Sequence, residues 1–80
     1  MQVLYFAVLR ELTGRSEELL ELPLTVHTVR DFVAYLQRAR PELSGRMASV
    51  RVALDEAFAD DSDALGQPRT IALIPPVAGG

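Results

Sequence analysis

The chain has 80 residues, 49% of them hydrophobic, a net charge of −3 and no cysteine. That length makes one domain near the size where a single core becomes marginal, and the missing cysteines exclude disulfides, thiolate metal sites and cysteine nucleophiles. All eight basic residues are arginines scattered along an acidic chain, which argues against nucleic acid, whose affinity rests on phosphate neutralisation.

No apolar stretch reaches the ~20 residues of a membrane span, so no membrane partner is expected. The first residues lack the basic-then-apolar pattern of a secretory signal. A cytoplasmic, reducing compartment is the expectation, and cysteine usage agrees with it.

Residues 3–9 form an unbroken apolar run with β-branched and aromatic members, read as one strand buried, or partly buried, on both faces. Val3, Tyr5 and Ala7 would share one face, and Leu4, Phe6 and Val8 the other. Residues 10–15 allow one helical turn before Gly14. Residues 17–22 are a second strand candidate running on towards Val26, close enough to pair with the first.

Thr28 is placed as an N-cap with Asp31 three positions on, a capping-box arrangement. Val29, Phe32, Val33, Leu36 and Ala39 then follow the spacing of one helical face, and Pro41 stops the helix near Arg40. Val50, Val52 and Leu54 alternate as one face of a strand. Asp55-Glu56 is a turn, residues 57–59 pair back, residues 60–66 are an acidic loop, and residues 69–74 are the last strand, ended by Pro75.

This order predicts an α+β domain, a mixed sheet of about five strands wrapped around one main helix. The right-handed crossover rule puts the first and last strands side by side at its centre. One helix covers one face, so the other carries apolar area with Phe6, Phe58 and Ile74 at its middle. Either a partner or this chain's own loops cover that face.

The ending Pro75-Pro76-Val77-Ala78-Gly79-Gly80 marks the chain end as the working group. Glycine lets the backbone approach a surface closely, and the prolines upstream favour an extended path. Six extended residues reach about 20 Å. Residues 1–76 are expected to form the domain and residues 77–80 a flexible tail. With no lysine, the chain offers no side-chain amine for an isopeptide bond with its own copies.

Leu4-Tyr5-Phe6-Ala7 with Leu9-Arg10-Glu11-Leu12 and Gly14, Thr28-Val29 before the helix, and the ending Ala72-Leu73-Ile74-Pro75-Pro76-Val77-Ala78-Gly79-Gly80 resemble the small-subunit, MoaD-type sulfur carriers of molybdopterin synthase. The resemblance spans essentially the whole chain and implies the ubiquitin-like β-grasp fold. It implies that an ATP-dependent, MoeB-like adenylyltransferase activates Gly80 and that a sulfur donor protein converts it to a thiocarboxylate. The tail would then enter the large catalytic subunit and give its sulfur to cyclic pyranopterin monophosphate. The family's assembly is a heterotetramer, two small subunits flanking a large-subunit dimer.

By this resemblance Gly80 carries the reacting atom and Gly79 allows threading. Phe6, Phe58, Ile74, Pro75, Pro76 and Val77 face the partner. Arg10 pairs with an acid on the partner or within the loop. The resemblance implies a sulfur-donor subunit without catalytic side chains of its own, with no bound cofactor expected and ATP used by the activating partner.

Two positions depart from the family pattern: Asp55 stands where many members have Asn, and Gly66-Gln67-Pro68-Arg69-Thr70 replaces a Gly-Asp-Glu-Val-like turn. His27 has no second ligand beside it, and Asp60-Asp61-Ser62-Asp63 lacks the glycine and closing glutamate of a calcium loop. No metal site is expected. A carrier for another pathway, thiamin synthesis or protein conjugation, and a β-grasp binding module without tail chemistry remain the alternatives.

Overall fold

The computed structural model describes residues 1–76. Five strands form one sheet in the order β2-β1-β5-β3-β4, where β1 is Gln2–Tyr5, β2 Glu17–Leu19, β3 Arg51–Leu54, β4 Ala57–Ala59 and β5 Thr70–Ile74. β1 and β5 are parallel neighbours, and the other pairs are antiparallel. The expected α+β architecture and the adjacency of first and last strands are therefore both present.

A short helix, α1, spans Val8–Thr13, and the main helix, α2, spans Val29–Ala39. Its first turn carries the expected capping box. The Asp31 amide donates to Thr28 Oγ1 at 3.1 Å, and the Thr28 amide donates to Asp31 Oδ2 at 3.1 Å. The acidic loop adds to this cap: the amides of Val29 and Arg30 donate to the carbonyls of Asp63 and Asp61 at 3.0 and 2.9 Å. Donors that a helix start leaves orphaned are thus filled.

Val29, Phe32 and Leu36 from α2 pack with Val3, Tyr5, Val52, Ile71 and Leu73 in the core. Each of those strand residues alternates with an outward neighbour, so the helix lies on one face of the sheet only. The connection after α2 holds a single 3-10 turn, Pro41–Leu43, which buries Leu43.

The run at residues 3–9 is not one strand. β1 stops at Tyr5, and a short helix, α1, covers Val8–Thr13. Between them the Leu9 amide donates to the Phe6 carbonyl at 3.0 Å, and Ala7 sits at φ 51°, ψ −126°. Those dihedrals are the first central position of a type II′ turn, where glycine is preferred. Turning the chain there sends Leu9 into the core, fully buried, and leaves Val8 exposed. Gly14 closes α1 at φ 73°, donating its amide to the Arg10 carbonyl at 2.9 Å.

β2 is likewise shorter than expected, ending at Leu19. Leu20, Leu22 and Val26 pack against the core from outside any strand, and Pro23 has no amide to extend the ladder. Val50 precedes β3, so Val52 and Leu54 alone carry the expected face of that strand.

Candidate functional site

Strand register assembles the sheet face opposite the helix. Leu4 pairs with Glu17 on one side and Ala72 on the other; Ala72 pairs with Ala53, and Ala53 with Phe58. These residues form one row across the sheet. Arg51 pairs with Ile74, two positions along from Ala53 and Ala72, so both project from the same face.

Phe58 is 59% and Phe6 45% exposed. Phe58 and Ile74 share this face. Phe6 stands just beyond β1, at the turn that begins α1. The face is thus apolar in its middle, with Phe58 exposed, Leu4, Ala72 and Ile74 partly exposed and Ala53 buried among them. It carries opposite charges on two strands, Glu17 on the edge strand β2 and Arg51 on β3, one strand in from the β4 edge.

β5 lies between β1 and β3 and leads directly to the tail. Pro75 is buried and Pro76 is exposed. Pro75 therefore closes the strand as part of this chain's own interior, and Pro76 is the outward member of the pair. Val77, Gly79 and Gly80 lie outside the described residues.

Arg10 is exposed on α1. Ion pairs among the described residues join Arg15 and Arg40 to Glu18, not Arg10. His27 is exposed; its amide donates to Asp31 Oδ2 at 3.0 Å and its carbonyl accepts from Leu65 at 2.8 Å. These backbone bonds give it a place at the helix cap. Among the described residues no group of three or more His, Cys, Asp or Glu gathers as a metal site, and no helix is long and apolar enough to cross a membrane.

One polar cluster lies on the helix side. Glu18, opposite Val3 in register, points inward from β2 with its side chain 6% exposed. Tyr5 Oη donates to Glu18 Oε2 at 2.5 Å, and Arg40 Nε donates to the same oxygen at 2.9 Å. Arg40 Nη2 donates to Glu18 Oε1. Arg40 above all holds the Glu18 carboxyl below the usual carboxylate range. Burial, followed by the Glu18 hydrogen bond, pushes the Tyr5 hydroxyl up. The cluster ties the end of α2 to β1 and β2 on the side away from the apolar face, so its part is to hold the sheet in shape.

The sequence profile of the ThiS family matches residues 3–80. The chain belongs to the ThiS family. The molybdopterin synthase sulfur carrier subunit of Chlamydomonas reinhardtii is 37% identical, over 100% of this chain and 98% of that protein. Among solved structures, SAMP1 from Haloferax volcanii superposes with a TM-score of 0.82 at 26% identity, covering 99% of this chain and 97% of that one. A chain from the complex of subunits 1 and 2 of molybdopterin-converting factor of Helicobacter pylori has the same fold. Its TM-score is 0.63 at 22% identity, over 99% of this chain and 96% of that one. The fold is the ubiquitin-like β-grasp.

In this ThiS-family chain, sequence reasoning found Phe58 and Ile74 on the outer face but passed over Arg51 between them. The guanidinium carbon of Arg51 lies over the Phe58 ring, 4.4 Å from its centroid. The available signal was alternation: Arg51 is the polar residue between Val50 and Val52, which sends it to the face opposite the core.

Proposed function

We propose that this chain is the sulfur carrier of molybdopterin synthase. The observation that carries the reading is the path of β5, which runs through the middle of the sheet, pairs Ile74 with Arg51 beside an exposed aromatic face, and delivers the chain to Pro75-Pro76 at the foot of the Gly-Gly tail. The whole-length likeness to a molybdopterin synthase sulfur carrier supports it.

In this reading the Gly80 carboxylate attacks the α-phosphate of ATP on an adenylyltransferase. An acyl-adenylate forms and pyrophosphate leaves. The carboxylate is a poor electrophile because its leaving oxygen is strongly basic, and AMP provides a better leaving group. Sulfide sulfur from a donor protein then displaces AMP, giving a thiocarboxylate, a covalent intermediate that divides one hard step into two.

The domain docks by its apolar face on the large subunit, and the tail presents sulfur to a pterin phosphate. Sulfur passes to the pterin, and water oxygen restores the carboxylate. The chain is net acidic, so the cations that hold this anionic substrate belong to the large subunit.

Intact mass after incubation with the adenylyltransferase, ATP and a sulfur donor tests the reading. The expected product has one oxygen of Gly80 replaced by sulfur, and deletion of Gly80 abolishes it. No mass change with an active enzyme overturns the carrier role. The likeness to SAMP1, a small archaeal modifier protein, favours a second reading, conjugation of Gly80 to an amine on another protein. A covalent adduct in place of pterin sulfuration would select it.

A further inference from the structure

The outer sheet face is apolar at its middle, and one cation stands inside it. Arg51 is exposed, pairs in register with Ile74, and holds its guanidinium over Phe58, 4.4 Å from the ring centroid. The ion pairs among the described residues, Arg15 and Arg40 with Glu18, do not include it.

A guanidinium over a ring uses its flat surface for the contact, while its N–H donors spread around its rim. Arg51 is held against the ring, and among the described residues no ion pair uses its fork. A partner that covers Phe58 and Ile74 must also cover Arg51. Desolvating a guanidinium against apolar surface alone is costly, and a carboxylate that accepts its fork offsets that cost.

Resting on the docking role proposed above, we propose that Arg51 is a positioning residue. It pairs with a carboxylate of the large subunit at the mouth of the channel that receives the tail, and so fixes the rotation of this chain on its partner.

Three features support that placement. Apolar contact through Phe6, Phe58 and Ile74 is non-directional and tolerates rotation, whereas a bidentate Arg–carboxylate pair does not. Arg51 stands at the root of the tail, beside the last residue of β5. Residues 75–80 span at most about 20 Å, so a rotation at the root is carried to Gly80 as a displacement. The β2 edge of the face carries Glu17, held by Gln2 Nε2 at 2.9 Å. The face therefore has a charge direction, negative at β2 and positive at β3, that one orientation of a partner complements.

The experiment is titration calorimetry of the full chain with the cognate large subunit, at low and high salt. Wild type, Arg51→Leu, Arg51→Glu, Arg51→Lys and Phe58→Asp are compared. Arg51 is exposed, so its variants leave the core intact, and their thermal midpoints confirm this. Arg51→Leu is expected to weaken binding about tenfold and to flatten its salt dependence. Arg51→Glu weakens it further, and Arg51→Lys recovers part of the loss. Wild-type affinity in Arg51→Leu, or a loss with the salt slope unchanged, overturns the proposal while leaving the docking role in place. Failure of the wild-type chain to bind, or Phe58→Asp binding as wild type does, overturns the docking role and the Arg51 proposal with it.

Discussion

Glu18 and Arg40, separated by 22 positions, meet through Nε–Oε2 at 2.9 Å and a second bond from Nη2 to Oε1, with Tyr5 Oη on the shared oxygen. Glu18→Gln replaces one acceptor oxygen with an NH₂ group facing other donors. The expected cost is about 2 kcal/mol, read as a lower urea midpoint with unchanged slope. The folded-state pKa of Glu18 is depressed. Its contribution is complete above the unfolded value, near 4.5, and is lost as pH falls through the folded value. Tyr5 is the mirror case: its pKa is raised, so its contribution holds below 10.0 and is lost as pH rises beyond that. Glu18→Gln should show less acid sensitivity than wild type below about pH 4.5; an unchanged acid limb would refute the assignment.

Asp55 explains one departure from the family pattern. Its Oδ1 accepts the amides of Arg69 at 2.8 Å and Thr70 at 3.0 Å, and its own amide donates to the Thr70 carbonyl at 3.0 Å. The β3–β4 turn is thereby fastened to the start of β5. An amide oxygen accepts equally well, and Asn suits the φ of 47° that Asp55 holds. Asp55→Asn is expected to be neutral or slightly stabilising, and Asp55→Ala to cost about 1 kcal/mol. Chemical denaturation of the two variants checks the difference; equal stabilities would contradict it.

Ala7→Gly is expected to stabilise the chain. Ala7 pays for a type II′ turn with φ 51°, a strain of about 1–2 kcal/mol for a residue with Cβ. Glycine removes it but gives back part through a freer unfolded chain. A net gain of about 0.5–1 kcal/mol should appear as a higher thermal midpoint. Ala7→Val should fall below wild type.

Phe6→Asp and Phe58→Asp separate docking from folding. Both rings are about half exposed in the isolated chain, so stability should change by less than ~0.5 kcal/mol. Affinity for the large subunit should fall by at least about tenfold, because a charge replaces an aromatic anchor in an apolar contact. Substitution of Phe32, fully buried under the sheet, should do the reverse and cost about 3–5 kcal/mol of stability on truncation to Ala.

Local signals carried most of the fold. The Thr28–Asp31 box, the spacing of Val29, Phe32 and Leu36, and the alternation at Val52 and Leu54 each state a preference within a few residues, and the structure follows them. The run at residues 3–9 failed for the same reason that the others succeeded. Apolar residues without alternation fit a strand or a short helix equally, and the turn that decides between them rests on an alanine in a glycine's place. The Glu18 cluster was illegible because Tyr5, Glu18 and Arg40 come from three separate elements. Glu18 also occupies the inward position that Leu19 would fill by hydropathy; Leu19 is 80% exposed instead. On the outer face the aromatic residues announced themselves, whereas Arg51 became visible only when register put it against Phe58 and Ile74.

β5 is paired on both flanks, with Leu73 between Tyr5 and Val52, and Ile71 between Val3 and Leu54. Traction applied through Ile74 therefore loads two ladders in shear at once rather than peeling one bond at a time. An edge strand in that position would unzip. With a central strand as the tether, tension applied beyond Ile74 is shared across the sheet, so in the proposed carrier role a partner that grips the chain end pulls on the whole sheet while the domain stays folded.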